Sequence, residues 1–355
     1  MKKIMTKNFV IRVDSGREVG FGHGMRCLTI ANEIKKKEFN VLIIMNRERN
    51  NLGELFKKNG HDVSYIINRK IGFKKIDVKY DLEQTKRILQ KYKEKIDIFL
   101  IDHYNIDYKW EKSLRQYVRK IVVIDDLNNR KHDCDLIIDQ GLHHNMKNLY
   151  VKLVPKNCKI LTGPKYVILR PEFHIFRKKL QKQNKIIKRI MISFGGSDPN
   201  NDTIKVLEGI TKIKDREFSI DVIIGKANSS HAKIQKICEK MKKTRCYYNP
   251  EKMAKIMSKC DLAIGSGGST TWERCCLGIP SIVSIASEDQ YEATRILNSK
   301  KCIKNLGISK KILESDYVTA IEDMNFKKLN EMKKECLKLI DGNGTKRIIQ
   351  NILSM

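Results

Sequence analysis

The chain is poor in several features that would mark a specialised protein. It has 6 prolines in 355 residues and only 7% aromatic residues. So little proline suits an ordinary globular chain. Few aromatics, together with no recognisable nucleic-acid-binding motif, argue against a dedicated RNA or DNA binder. No apolar run approaches the roughly 18 residues of a membrane span. The basic start MKKIMTKNFVIRV has no h-region, because Arg12 and Asp14 arrive too soon for a signal peptide. The expectation is a cytoplasmic protein with no integral membrane segment. Its 10 cysteines contain no C-x-x-C, Cys275 and Cys276 are adjacent, and His143-His144 has no set of partner ligands. That pattern suggests neither a zinc site nor a disulfide framework, so reduced thiols, no bound metal and no cofactor are expected.

What is present is length, charge and glycine-punctuated alternation. A chain of 355 residues with 41% hydrophobic content is expected to form two domains, each able to bury its own core. Lysine and arginine number 71 against 41 acidic residues, a net charge of +30. They are spread over most predicted helices, which reads as a solvated surface, and the balance favours anionic partners such as nucleotides.

In the first half strands and helices alternate. Strands are predicted at 9–13, 41–45, 63–67, 96–101 and 121–124, and helices at 25–34, 52–59, 81–92 and around Trp110, Leu114, Tyr117 and Val118. Such alternation implies a parallel sheet covered on both faces, with ligands outside the carboxyl ends of its strands. Those ends carry Asp102-His103-Tyr104 and Asp125-Asp126. Solvation or helix capping is the competing reading for these acids.

Around the first of these ends lies EVGFGHGMR, from Glu18 to Arg26. Its glycines allow close backbone approach, and His23 is delivered to a helix N-terminus. The spacing G-x-G-x-G begins too late for a dinucleotide fingerprint, and the second strand runs into Asn46-Arg47 with no carboxylate at its tip. Alone, His23 would read as a solvated loop histidine.

A Pro/Gly-punctuated segment, TGPKYVILRPEF (162–173), leads through a helix to the polar run 181–188, where the domain boundary is placed. The expected division is 1–180 and 189–355. Alternation then restarts, with strands at 190–194, 220–224, 262–264 and 280–285 and helices at 202–213 and 272–277. Surface helices follow at 326–339 and 345–353, the last expected to pack back across both domains.

Two loops of this half are built alike, SFGGSDP and GSGGSTT. Glycines admit the backbone, hydroxyls donate, and a helix N-terminus behind each loop carries about half a positive charge, which together describe a diphosphate cradle. Neither loop is a Walker A sequence, since the Gly-Lys-Ser/Thr ending is missing. Glu273, one turn into the following helix, is placed to accept hydrogen bonds from a ribose; complementing the helix dipole is its alternative role.

The series GFGHGMR, IDHY, ILRPEF, SFGGSDP and GSGGSTTWE, then LGIPSI and EDQ, resembles the PseG/SpsG family of UDP-sugar hydrolases, related in fold to MurG-like GT-B glycosyltransferases. The resemblance runs from Ile11 to about Asn298. It implies a GT-B-like α/β fold, with two Rossmann-like domains facing each other across a cleft. The implied reaction releases UDP from UDP-2,4-diacetamido-2,4,6-trideoxy-β-L-altrose, within pseudaminic acid biosynthesis and flagellin glycosylation. His23 matches the family's catalytic histidine and Tyr104 its active-site tyrosine. Arg170 matches a substrate-contacting arginine and Glu273 the uridine-ribose carboxylate. Substrate binding is expected at Gly22, Arg26, Arg170, Gly195, Gly196, Ser266, Gly267, Ser269, Thr270, Glu273, Asp289 and Gln290. Family members commonly carry Asn-Gln where this chain has Asp289-Gln290, and a carboxylate there repels a diphosphate unless hydrogen-bonded or turned away. A monomer acting on a UDP-sugar, without nucleic acid, is expected. A GT-B glycosyltransferase and a non-catalytic nucleotide-sugar-binding protein are the alternatives.

Overall fold

Successive apolar residues in the first strand divide between two cores. Phe9, Ile11 and Val13 join Cys27, Ile30, Ala31 and Ile34 of the helix Gly22–Lys35, while Val10 joins Phe99 and Trp110 on the other side. A strand whose residues alternate between two apolar layers belongs in the middle of a covered sheet. Each such fully buried aliphatic side chain contributes about 1.5–3 kcal/mol. The computed structural model describes residues 7–16, 19–48, 51–67, 76–92, 95–146, 148–180 and 184–355. Glu18, which opens the EVGFGHGMR stretch, and the start of the polar run at 181–183 lie outside the described residues.

The first sheet has seven strands, β1 (Asn8–Val13), β2 (Asn40–Asn46), β3 (Asp62–Ile66), β4 (Ile96–Asp102), β5 (Val118–Ile124), β6 (Leu136–Asp139) and β7 (Lys159–Thr162). Their order is β3-β2-β1-β4-β5-β6-β7, every pair parallel. The second sheet has six strands, β8 (Arg189–Ser193), β9 (Ser219–Ile224), β10 (Thr244–Tyr248), β11 (Leu262–Ser266), β12 (Ser281–Ile285) and β13 (Lys304–Ile308). It is also parallel throughout, in the order β10-β9-β8-β11-β12-β13. In both sheets the strand order reverses beside the first strand, between β1 and β4 and between β8 and β11. A crevice opens at such a reversal, outside the carboxyl ends.

Residues 1–141, 145–168 and 343–355 form one compact unit, and residues 142–144 with 169–342 the other. Set beside the division expected at 180/189, helix Pro171–Arg177 lies with the second unit. There Arg177 donates to the carbonyls of Cys276 (2.8 Å) and Leu337 (2.7 Å). The C-terminal helix Gly344–Leu353 lies with the first unit, placing Ile348, Ile349 and Ile352 in the core that holds Ile11 and Ile34. Glycine is required at its start, since a Cβ on Gly344 would come within 2.2 Å of the Val167 carbonyl.

Two local expectations are corrected. Val118, read as part of a helix with Trp110 and Leu114, opens β5 and pairs with Ile96, while the helix shortens to Tyr108–Lys112. A run of β-branched residues overrides the weak helical spacing. Strands β6, β7, β10 and β13 escaped the sequence reading. The last three are sheet edges with one side open, so their sequences carry little apolar pattern.

Candidate functional site

In the first unit the β1–β4 reversal is built around one buried carboxylate. Gly20, at φ +90°, turns the chain back to pair with Gly16, and the helix begins at Gly22. A Cβ on Gly24 would stand 2.7 Å from Leu52 Cδ1 and 2.8 Å from Ser15 Cβ, so only glycine lets the first turn settle here. That turn places His23 Nδ1 2.6 Å from Asp102 Oδ1 at the end of β4. A carboxylate only accepts, so toward Asp102 a neutral imidazole would donate from Nδ1 and keep its lone pair on Nε2; Arg26 Nη2, itself a donor, stands 3.1 Å from the same Nδ1. Tyr104, two residues on from Asp102, sets its ring edge-on to the imidazole at a centroid distance of 4.6 Å. His23 and Tyr104 are therefore in contact.

Arg26, one turn further along the helix, holds Asp102 through Nε (2.6 Å) and Nη2 (2.7 Å), and its Nη1 reaches Asp126 Oδ2 at 2.5 Å. Arg26, expected at the substrate, is buried with its guanidinium on Asp102 and Asp126 and its Nη2 3.1 Å from His23 Nδ1. Burial pushes the Asp102 pKa up, but the charges and hydrogen bonds of Arg26 and then His23 outweigh it and hold Asp102 well below the usual carboxylate range. Asp126 behaves oppositely. Burial raises its pKa, Arg26 opposes, and Asp139 and Asp102 add repulsion. Asp126 is thus an ion-pair partner rather than a helix cap.

Beneath these groups Arg12, wholly buried, joins Asp14 and Asp81, and His103 Nε2 lies 3.0 Å from Asp14. Arg130 and Tyr150 serve Asp125 at the end of β5, and Tyr150 also donates to Asp139. Sequence reasoning quoted Asp102 inside IDHY without giving it a role. Its position as the last residue of a central strand, two before Tyr104, was the available signal.

In the second unit SFGGSDP follows β8 and GSGGSTT follows β11, at the strand reversal. Gly195 turns at φ +83°, and a Cβ on Gly225 would meet the Gly196 carbonyl at 2.4 Å, so the loop after β9 lies against it. Asp198 accepts from the amides of Asp202 (2.9 Å) and Thr203 (3.0 Å). A carboxylate thus fills the start of helix Asp202–Thr211, correcting the expectation of a free helix terminus behind this loop. The second loop differs. Its Gly267 amide donates to the Ser284 carbonyl and its Thr271 amide to the Gly268 carbonyl, while those of Gly268, Ser269 and Thr270 donate to no described residue. Ser269 is exposed, Thr270 is half-buried and Ser266 is buried.

Gln290 lies against this loop, near Gly267 and Gly268, and its Oε1 accepts from the Ala286 amide at 3.1 Å. Asp289, its neighbour in the turn Glu288–Gln290, is exposed. Glu273 meets Arg170 at 3.2 Å, and Arg170 also pairs with Glu172 at 3.0 Å while lying over the Phe173 ring. Burial raises the Glu273 pKa and Arg170 opposes it. The expected residues therefore gather as two sets. Gly22, His23, Arg26 and Tyr104 belong to the first unit, while Arg170, Gly195, Gly196, Ser266, Gly267, Ser269, Thr270, Glu273, Asp289 and Gln290 belong to the second. Among the described residues no group of three or more His, Cys, Asp or Glu is placed to hold a metal, and no helix is long and apolar enough to cross a membrane.

With that geometry in hand, residues 190–352 match the model of the glycosyltransferase family 28 C-terminal domain. An uncharacterized protein of Methanocaldococcus jannaschii is 32% identical over 289 residues, covering 79% of this chain and 56% of its own length. The chain thus spans little more than half of that relative. The spore coat polysaccharide biosynthesis protein SpsG of Bacillus subtilis is 24% identical over 344 residues, 95% of each chain. A UDP-2,4-diacetamido-2,4,6-trideoxy-β-L-altropyranose hydrolase of Campylobacter jejuni is 26% identical over 270 residues, 76% of this chain and 88% of that protein. Among solved structures, MurG of Acinetobacter baumannii superposes with a TM-score of 0.67 at 15% identity, covering 98% of this chain and 100% of that one. The fold is GT-B-like, with two Rossmann-like α/β domains.

Proposed function

We propose that this chain is a UDP-sugar hydrolase that releases UDP by attack of water at the anomeric carbon. The observation that carries the reading is the His23–Asp102 pair, whose 2.6 Å contact at Nδ1 favours the neutral tautomer with its lone pair on Nε2. Nε2 takes a proton from water as the new C–O bond forms and the bond from the anomeric carbon to the diphosphate breaks. The imidazolium is offset by Asp102 and returns its proton to solvent, so the balance is sugar-UDP and water in, sugar, UDP and a proton out. A well-placed general base of this kind supplies about 10² to 10⁴ in rate. The leaving diphosphate is held by the amides and hydroxyls from Ser266 to Thr270, and the ribose by Glu273. No second carboxylate is assigned as a nucleophile beside His23, so a single displacement inverts the anomeric centre.

The narrower substrate, a UDP-2,4-diacetamido-2,4,6-trideoxy sugar, is supported by the name of the Campylobacter jejuni relative. A second reading, transfer to an acceptor hydroxyl, is supported by the glycosyltransferase match over residues 190–352. Turnover of a UDP-sugar panel in ¹⁸O water separates them. Hydrolysis at carbon puts the label on the released sugar and none in UDP. Label in UDP means attack at phosphorus, and acceleration by an added sugar or lipid acceptor moves the chain to transfer.

A further inference from the structure

Among the described residues the buried arginines are paired, with one exception. Arg12 meets Asp14 and Asp81, and Arg26 meets Asp102 and Asp126. Arg274, on the helix Thr270–Cys276 that follows the GSGGSTT loop, is also wholly buried, yet among the described residues no carboxylate lies within ion-pair distance of it. Its Nη2 donates to the Ser266 carbonyl and to Thr271 Oγ1, both at 2.8 Å, while Nε and Nη1 have no hydrogen-bond partner among the described residues. Burial lowers its pKa to about 10, with Cys275 and Glu273 opposing, so it keeps its charge at neutral pH.

The position of this cation narrows its use. A Cβ on Gly265 would stand 2.4 Å from Arg274 Nη1 and 2.2 Å from the Ser193 carbonyl. The guanidinium therefore lies beside the last residues of β11, next to the end of β8, at the strand reversal where the two glycine loops begin. It grips both ends of the turn, from the carbonyl of Ser266 to the hydroxyl of Thr271. An uncompensated buried charge is costly, and an anion bound at the adjoining loop would relieve that cost.

We propose that Arg274 is a positioning residue for the diphosphate, a buried cation whose counter-charge is supplied by the ligand rather than by the protein. The inference rests on the cradle described under Proposed function and adds the source of its positive potential. Because Arg274 is screened by the loop, it acts on charge and is indifferent to the uridine part of the ligand.

Calorimetric titration of UDP and of uridine, with thermal melting of the free proteins, tests this. Arg274→Met fills the space without charge, and Arg274→Gln is a second neutral variant that still donates to the Ser266 carbonyl. In both, the ratio of UDP to uridine affinity is expected to fall about tenfold or more, the scale of a charge interaction across a partly screened interior. Arg274→Lys keeps the charge and is expected to hold that ratio within about threefold of wild type. The free Met variant is expected to melt no lower than wild type, because removing an unpaired buried charge offsets the lost hydrogen bonds. A merely structural arginine gives the opposite pattern, a lowered melting point with an unchanged ratio, and overturns the proposal. Should Met fail to fold, an unchanged ratio in the Gln variant overturns it equally. Wild-type protein that binds UDP no better than uridine removes the cradle reading itself, an outcome distinct from wild-type preference retained in the neutral variants.

Discussion

Replacing Asp102 with asparagine removes one charge and almost no volume, which makes it the sharpest test of the histidine pair. Asp102 receives three short donors, His23 Nδ1 at 2.6 Å, Arg26 Nε at 2.6 Å and Arg26 Nη2 at 2.7 Å, distributed over both oxygens. An amide offers one acceptor and one donor, so each orientation sets a donor against a donor. With the amide nitrogen toward His23, the imidazole is driven to the tautomer with its proton on Nε2 and loses its basic lone pair. With the oxygen toward His23, the tautomer survives, but the imidazolium formed in the reaction has no counter-charge. Either way the general-base contribution of about 10² to 10⁴ should be lost from kcat. Breaking a buried pair costs about 3–5 kcal/mol, and the low end applies because Arg26 keeps Asp126.

The assay is steady-state UDP release by wild type, Asp102→Asn, His23→Ala and the double variant, each checked for folding by circular dichroism. Because the two residues work as a unit, the double variant should be no slower than His23→Ala alone. UDP affinity should stay within about twofold of wild type in all three variants, since a general base acts in the transition state. A folded Asp102→Asn protein with near-wild-type turnover would falsify the pair, and multiplied losses in the double variant would show that the residues act separately.

Two further outcomes follow. Glu273→Ala should weaken UDP and UMP alike by about 1.5–3 kcal/mol, the range for hydrogen bonds to a charged group; unchanged calorimetric affinity for both would leave Glu273 to the helix dipole. His132, between Glu111 at 2.7 Å and Asp125 at 3.8 Å, has its pKa raised from 6.5 to about 9, burial opposing and the two carboxylates prevailing. A raised folded-state pKa contributes stability that is complete below 6.5 and lost as pH rises through about 9. Urea melts of wild type should lose about 3 kcal/mol over that window, at roughly 1.4 kcal/mol per unit, and His132→Gln should flatten the slope. Parallel slopes in the two proteins would mean that His132 is not held charged.

Central strands were legible in the sequence because they are buried on both faces. Ile96 to Ile101 and Ile190 to Phe194 need no partner to declare themselves. Edge strands such as β7 and β10 depend on a neighbour for their ladder, and their own residues, KILT and TRCYY, look like loop. The contact between His23 and Tyr104 was legible as motif order, since both follow strands that flank the reversal. The ion pairs were not. Arg26 and Asp126 stand 100 residues apart, and nothing local distinguishes a guanidinium turned inward from one turned to solvent. The same holds for Asp198, where a glycine-rich loop reads as an anion site until its own carboxylate is seen capping the helix.

The two strand reversals differ in their electrostatics, and the difference bears on the proposed roles. In the first unit Asp14, Asp102, Asp125, Asp126 and Asp139 stand at or just beyond the carboxyl ends of β1, β4, β5 and β6. Arg12, Arg26 and Arg130 are consumed in answering them. A diphosphate brought to that floor would meet carboxylates at short range. In the second unit Asp198 is spent on two amides and Glu273 on Arg170, and among the described residues no carboxylate stands within ion-pair distance of Arg274. That floor favours an anion and would suppress an imidazolium. The net charge of +30 does not make this distinction, because it is spread over the surface. The two floors differ in how few buried charges are left unanswered, and where, a difference that suits the proposed roles of base chemistry in the first unit and diphosphate binding in the second.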